Sequence, residues 1–367
     1  MTFNAMTFNA LMLHPNEKLK DYSLEQVVAP GSPFETDLAN DPYSQEFFQY
    51  LVSCALPEGE QITWQSQTWP GELGLCPAWK NSTPDLACQE LVSSCLLARS
   101  NAYGETVQIS LRGLFTNEAP LPLGGTEVDQ FGWAEGGFFG NIFCPDCTDV
   151  RMSMQVEDGE LVYRLVRPDL APVEVRCETG GLDQRFAAGA RRVRDACHRR
   201  FLAASQWKGV MYKSMFACWS PVWADGEAYT RRRICAGVAS TGGVVDDQKQ
   251  CAAWPVGACG DNSPVVPCQT SNVCAVMDTM PRPKDGDVDD CAGQPMSTSS
   301  LPEPGTCPPA PTQTTPVWQR PLTVFLAQPY AVVPPDQAGR LNPRYLDPKS
   351  GRPMLPREAG QTTAPRP

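Results

Sequence analysis

Histidine is almost missing from this chain of 367 residues, which has only 2, His14 and His198. Multi-histidine metal sites lose their usual ligand, and most His-based nucleophilic triads lose their base. Long apolar runs are missing too. No stretch approaches the roughly 20 residues that a membrane-spanning helix needs, so no transmembrane span is expected. A basic excess is also lacking. The net charge of −11 argues against a nucleic-acid partner, whose binder would carry a strong positive footprint. No Gly-x-Ser-x-Gly elbow, Walker loop, GxGxxG or HExxH occurs, which removes common signposts of hydrolases, nucleotide binders and zinc peptidases.

Cysteine and proline are abundant, at 16 and 36 residues. The even, dispersed cysteine count predicts up to eight disulfides and an oxidising, extracytoplasmic compartment. The first fifteen residues do not read as a secretion signal, because they lack a basic region and Asn4 and Asn9 interrupt their apolar residues. Charge is uneven. Residues 1–150 hold 5 basic against 19 acidic side chains, whereas residues 151–233 hold 15 against 10. Either the two regions pack against each other, or the Arg-rich one meets an acidic polymer or surface.

Four regions follow from composition and periodicity. Residues 1–40 read as an arm opening with a duplicated Met-Thr-Phe-Asn-Ala, too few copies for a solenoid. Residues 41–180 read as a helix and sheet core. A helix is predicted over 42–55, with Asp41 as N-cap, Pro42 at its first position and Tyr43, Phe47, Tyr50, Leu51 and Cys54 on one stripe. A second is predicted over 84–100 behind a Thr83 cap, with Cys88, Leu91, Cys95 and Leu96 on one face. Strand patterns occupy 106–111, and 152–155 and 161–165 flank Asp158-Gly159 as a hairpin. Residues 181–292 hold an Arg-bearing helix (184–202) and an irregular Cys-rich region. Residues 293–367 form a Pro-rich tail with one strand at 322–327 that returns to the core. The fold class expected is therefore α+β: helices packed on an antiparallel sheet, disulfide-rich, with a Pro-rich tail.

Cys88 and Cys95 lie seven residues apart on one helix, about 10 Å at 1.5 Å per residue. That exceeds the roughly 7 Å that a disulfide spans. Cys76–Cys88 would close a short loop at the second helix, and Cys54–Cys95 would tie the two helices together.

Three motifs, Tyr50-Leu-Val-Ser-Cys54-Ala-Leu-Pro57, Gly74-Leu-Cys76-Pro-Ala-Trp79 and Cys88-Gln-Glu-Leu-Val-Ser-Ser-Cys95-Leu-Leu-Ala98, precede Gly136-Gly-Phe-Phe-Gly-Asn-Ile-Phe143. In that order they resemble a group of uncharacterised Cys-containing, predicted-secreted proteins of myxobacteria. The Phe-Asn-Ala opening is similar to short repeats that begin some of them. The resemblance covers about a third of the chain and implies a source and a compartment. It supplies no catalytic residue.

Several residues carry chemistry by type and spacing. Cys144-Pro-Asp-Cys147 is a CxxC that can serve as a redox pair, half a zinc site or structural disulfides; its extended flanks and the lack of a second CxxC favour the last. Asp285, Asp287 and Asp289 alternate as calcium ligands would, but Asp290 and Met296 stand where a calcium loop needs Gly and Glu, so no metal is expected. His198 sits beside Arg199 and Arg200 as a surface histidine rather than a general base. Trp207, Trp219, Trp223 and Tyr229 cluster with Arg231, Arg232 and Arg233, as core packing or as anchors of a glycan or protein site. The leading expectation is an extracytoplasmic, cofactor-free surface or matrix binding protein without catalytic activity. Its rivals are a secreted hydrolase using carboxylates, whose paired acids leave no sequence trace, and a thiol oxidoreductase using Cys144 and Cys147.

Overall fold

Asp41-Pro42 opens the first long helix for a local reason. The Asp41 carboxylate accepts the Tyr43 amide at 2.8 Å and the Ser44 hydroxyl at 2.9 Å, satisfying amides that a helix start leaves orphaned. Pro42 gives up no helical bond there. The computed structural model describes residues 2–4, 6–7, 10–11, 16–101, 106–113, 121–143, 151–158, 160–167, 170–178, 197, 200, 209–210, 212, 215–220, 222–235, 250–259, 321–333, 341, 343, 346, 350 and 352–353. The expected helix at 184–202, Cys144 and Cys147, both histidines, Trp207, Asp285, Asp287 and Asp289 lie outside these, Cys197 and Arg200 of that helix excepted.

The opening repeat is part of the fold. Its first copy forms β1 (Thr2–Asn4), antiparallel to residues 107–109, and its second begins with β2 (Met6–Thr7), parallel to β5 (Ser100–Asn101). Met6, Ala10 and Leu11 are wholly buried, and the Tyr212 hydroxyl donates to the Leu11 carbonyl. Identical pentapeptides thus take different places because each meets a different neighbour.

Two short helices, α1 (Leu24–Val27) and α2 (Glu35–Asn40), lead to α3 (Pro42–Ala55). The hairpin of β3 (Gln61–Trp64) and β4 (Gln67–Pro70) follows, and Trp69 packs edge-on against Phe48 of α3 with ring centroids 5.0 Å apart. The second long helix, α4 (Leu86–Arg99), begins two residues later than expected. Asp85, not Thr83, is its cap and takes the Cys88 amide at 2.8 Å, which leaves Pro84 outside. From Glu90 to Arg99 every side chain is buried. This helix is the spine of the core, not a half-exposed surface element.

A six-stranded sheet packs on α4. Its members are β1, β6 (Val107–Arg112), β7 (Trp133–Gly140), β12 (Met215–Trp219), β14 (Trp254–Ala258) and β15 (Leu322–Leu326), in the order β1-β6-β15-β7-β12-β14. All pairs are antiparallel except β12 with β14, which are joined through α6 (Gly226–Ile234). The short α5 (Glu127–Gln130) precedes β7. A second antiparallel sheet is formed by β8 (Arg151–Glu157), β9 (Glu160–Arg167) and β10 (Leu170–Glu178), with β9 central. Asp158 takes φ 50° between β8 and β9, a turn conformation that Asp tolerates. The short pair β11 (Gly209–Val210) and β13 (Gln250–Cys251) is parallel. No helix among the described residues is long and apolar enough to cross a membrane.

Candidate functional site

All ten cysteines among the described residues are bridged, in five pairs: Cys54–Cys95, Cys76–Cys88, Cys177–Cys197, Cys218–Cys259 and Cys235–Cys251. The first two are the pairings expected once helix geometry had excluded Cys88 with Cys95. Cys54–Cys95 joins α3 to α4 with a Cα separation of 6.1 Å, and Cys76–Cys88 closes the Trp79 loop with one of 5.4 Å.

Of the two readings of the aromatic and arginine cluster, core packing describes Trp223, Tyr229 and Arg233, which are interior and not anchors of a binding face. Trp223 and Tyr229 are buried and stack with ring centroids 3.9 Å apart. Arg233, 1% exposed, is among the largest fully buried side chains. Helical periodicity explains the division: Tyr229 and Arg233 are four residues apart on the inner face of α6. Arg231 and Arg232 are half-buried, and Arg231 pairs with Glu227 one turn earlier at 2.8 Å. Trp219 is half-buried, beside Gly226, where any Cβ would fall 1.9 Å from its ring.

The group that organises this interior is Glu135 of β7, 2% exposed. Its Oε1 accepts from Arg233 Nε at 2.7 Å and from the Tyr229 hydroxyl at 2.9 Å. Its main-chain carbonyl accepts from Trp223 Nε1 at 3.1 Å and from the Ser220 amide at 3.1 Å. Arg233 donates further to the carbonyls of Ser100 and Ala98, the latter at 2.8 Å, and lies over the Phe138 ring. One guanidinium therefore joins α6, β7 and the end of α4, using its fork of fixed donors. Sequence reading missed Glu135. Its signal was a lone carboxylate in the otherwise apolar, Gly-rich run Trp133–Gly140.

Two more buried arginines work in the same way. Arg99 donates to Ser53 Oγ at 2.7 Å and Glu72 Oε2 at 3.0 Å, beneath the Tyr50 ring. Burial lowers its basicity and pushes the Tyr50 hydroxyl up to about 12, effects that Glu72 and Arg99 respectively oppose. Arg112 donates to the Phe131 carbonyl at 2.6 Å and lies 3.6 Å from the Phe325 centroid.

The exposed chemistry lies on β8–β10. Arg164 grips Glu157 with both terminal nitrogens and donates to Glu174 Oε2 at 2.8 Å. Arg176 donates to Glu174 Oε1 at 2.7 Å, Glu157 Oε2 at 3.1 Å and Glu160 Oε2 at 3.4 Å. Arg164 holds Glu157, and Arg176 holds Glu174, below the usual carboxylate range. Val162, opposite Arg176 in register, is fully buried on that same face; long charged stems cover apolar neighbours in this way. The result is an exposed array of two guanidinium groups and three carboxylates linked to one another by hydrogen bonds. The described residues hold no group of three or more His, Cys, Asp or Glu that could hold a metal ion.

Comparison of the chain with protein-family models, curated proteins and solved structures returns no match.

Proposed function

We propose that the chain is an extracytoplasmic, disulfide-stabilised binding protein of a cell surface or matrix, in the compartment that the resemblance to predicted-secreted myxobacterial proteins implies. The observation that carries the compartment is the bridging of every described cysteine. Reducing compartments do not maintain so many structural bridges. What supports binding is the array on β8–β10. Its donors and acceptors are pre-oriented at the surface, so a polar partner such as a glycan or a protein loop meets them without the usual ordering cost.

The test has two arms. A thiol count on native protein, by alkylation and mass spectrometry, should find the ten described cysteines protected, whereas sixteen reactive thiols on a folded chain would overturn the compartment. The same count reads Cys144 and Cys147, on which the oxidoreductase alternative depends. Co-sedimentation with isolated surface polysaccharide or matrix should retain the protein, and Arg164→Ala with Arg176→Ala should weaken retention. Retention that is absent, or unaffected by both substitutions, would overturn the binding face.

A further inference from the structure

The geometry points to a proton-operated joint at Asp41, the corner where α2 ends and α3 begins. One residue serves both helices. Its amide donates to the Asp37 carbonyl at 2.8 Å and closes α2, while its side chain caps α3 through Tyr43 and Ser44. Its own carbonyl accepts the Gln45 amide at 3.1 Å, and Gln45 Nε2 donates back to the Leu38 carbonyl. The extended backbone at Asp41, φ −112° and ψ 107°, makes the turn. These bonds across the corner pass through Asp41 or through Gln45, one turn on.

N-cap carboxylates commonly face water, whereas Asp41 is 4% exposed. The donors on it, the Tyr43 and Ser44 amides and the Ser44 hydroxyl, are neutral. Among the described residues the one charge acting on it is the like-signed Asp37 carboxylate. Desolvation therefore dominates and raises the Asp41 carboxyl to about 7; the Tyr43 and Ser44 hydrogen bonds lower it only in part. Asp37 is raised by burial as well. In the neutral form Oδ1 still accepts the Tyr43 amide and the proton on Oδ2 is donated to Ser44 Oγ, so the corner stays bonded without a buried charge. Because α2 packs against both α3 and β8, loosening the corner alters how the helical layer meets the exposed sheet.

The sign follows from linkage. A folded-state pKa above the unfolded value of about 3.9 means that the native state holds the proton more tightly. The stabilisation is complete below about pH 4 and is lost as pH rises through about 7. The joint is firm in acid and loose in alkali. Three pH units correspond to at most about a thousandfold rise in the unfolding constant, at tenfold per unit.

Asp41→Asn isolates the effect, because Asn keeps an acceptor for the Tyr43 amide and never ionises. Urea unfolding of the full chain from pH 4 to 8.5 should show the variant gaining on the wild type between about pH 4 and 7, with α2 amides exchanging faster in the wild type above pH 7 after correction for intrinsic rates. A wild-type-minus-variant difference that is flat with pH would overturn the joint. If the variant does not fold, the carbon-13 carboxyl shift of Asp41 in wild-type protein decides: a midpoint near 7 supports the joint and one below 5 overturns it.

Discussion

Arg233→Met should be among the most damaging single substitutions outside the cysteines. Methionine fills much of the arginine's volume but supplies none of its donors. Lost are the 2.7 Å bond to Glu135, the 2.8 Å bond to the Ala98 carbonyl and the bond to the Ser100 carbonyl. The larger loss is electrostatic. Glu135 would remain 2% exposed with only the Tyr229 hydroxyl on its carboxylate, and breaking a buried pair from one side costs about 3–5 kcal/mol. A carbonyl that loses its Arg233 donor adds up to about 1–3 kcal/mol where nothing else reaches it. Relaxation makes these terms non-additive, so the expected loss is about 4–6 kcal/mol, a large part of the roughly 5–15 kcal/mol that holds an ordinary domain folded. Adding Glu135→Gln should restore about 2 kcal/mol or more, because the remaining partner no longer carries a buried charge. Non-reducing urea titration at pH 7.5 measures both, and Trp223 fluorescence reports on the site directly because the ring stacks on Tyr229. A loss below about 1 kcal/mol, or a double variant no better than the single, would refute the assignment of Arg233 as a structural centre.

Gly136→Ala should sever β7 from β12, since its Cβ would fall 2.3 Å from the Cys218 carbonyl oxygen; loss of amide-exchange protection across residues 215–219 checks this, and unchanged protection contradicts it. Gly226→Ala should be milder, because the atoms it meets belong to the half-buried Trp219 side chain rather than to backbone; equal midpoint losses for the two glycines would show that the contact atoms do not matter. Reduction with dithiothreitol should release residues 218–259 to protease before residues 42–99, because Phe47, Leu51, Leu91 and Leu96 pack α3 and α4 together in addition to their two bridges, whereas α6 lies inside the Cys218–Cys259 loop and ends at the Cys235–Cys251 bridge; simultaneous cleavage of both regions would count against that order.

Local chemistry made much of this fold legible. Asp41-Pro42 marked the start of α3, Asp158-Gly159 marked the β8–β9 turn, and the spacing of Cys88 and Cys95 on a single helix forced both to look elsewhere for partners. What stayed hidden was decided over long distances. Nothing near Arg233 in the sequence names Glu135 as its partner, and an arginine run reads as surface until a fixed fork finds a carboxylate and two carbonyls together. The start of α4 was misplaced because Thr83 and Asp85 are both good caps, and only the packed helix shows which side chain meets the Cys88 amide. The opening repeat read as an arm because five residues carry no sign of a sheet edge waiting beside them.

The strand β15 joins the two kinds of information. Leu322–Leu326 was legible as an apolar strand within the Pro-rich tail, but not its position between β6 and β7, antiparallel to both. All five of its side chains are buried. The sheet therefore cannot close until the chain has reached Leu326. The helical layer can form earlier, because its bridges close short loops with separations of 41 and 12 residues, and short loops cost less entropy to close. A chain ending at residue 320 should keep α3, α4 and the Cys54–Cys95 and Cys76–Cys88 bridges while leaving β6 and β7 with facing unpaired edges. It should then show far-UV helicity, correct pairing of those four cysteines, no cooperative sheet unfolding and a tendency to aggregate through the exposed edges. A chain ending at residue 333 should unfold as one cooperative unit. If the shorter chain also unfolds cooperatively, with β6 and β7 amides protected, the central strand is dispensable and the order of assembly inferred from it is wrong.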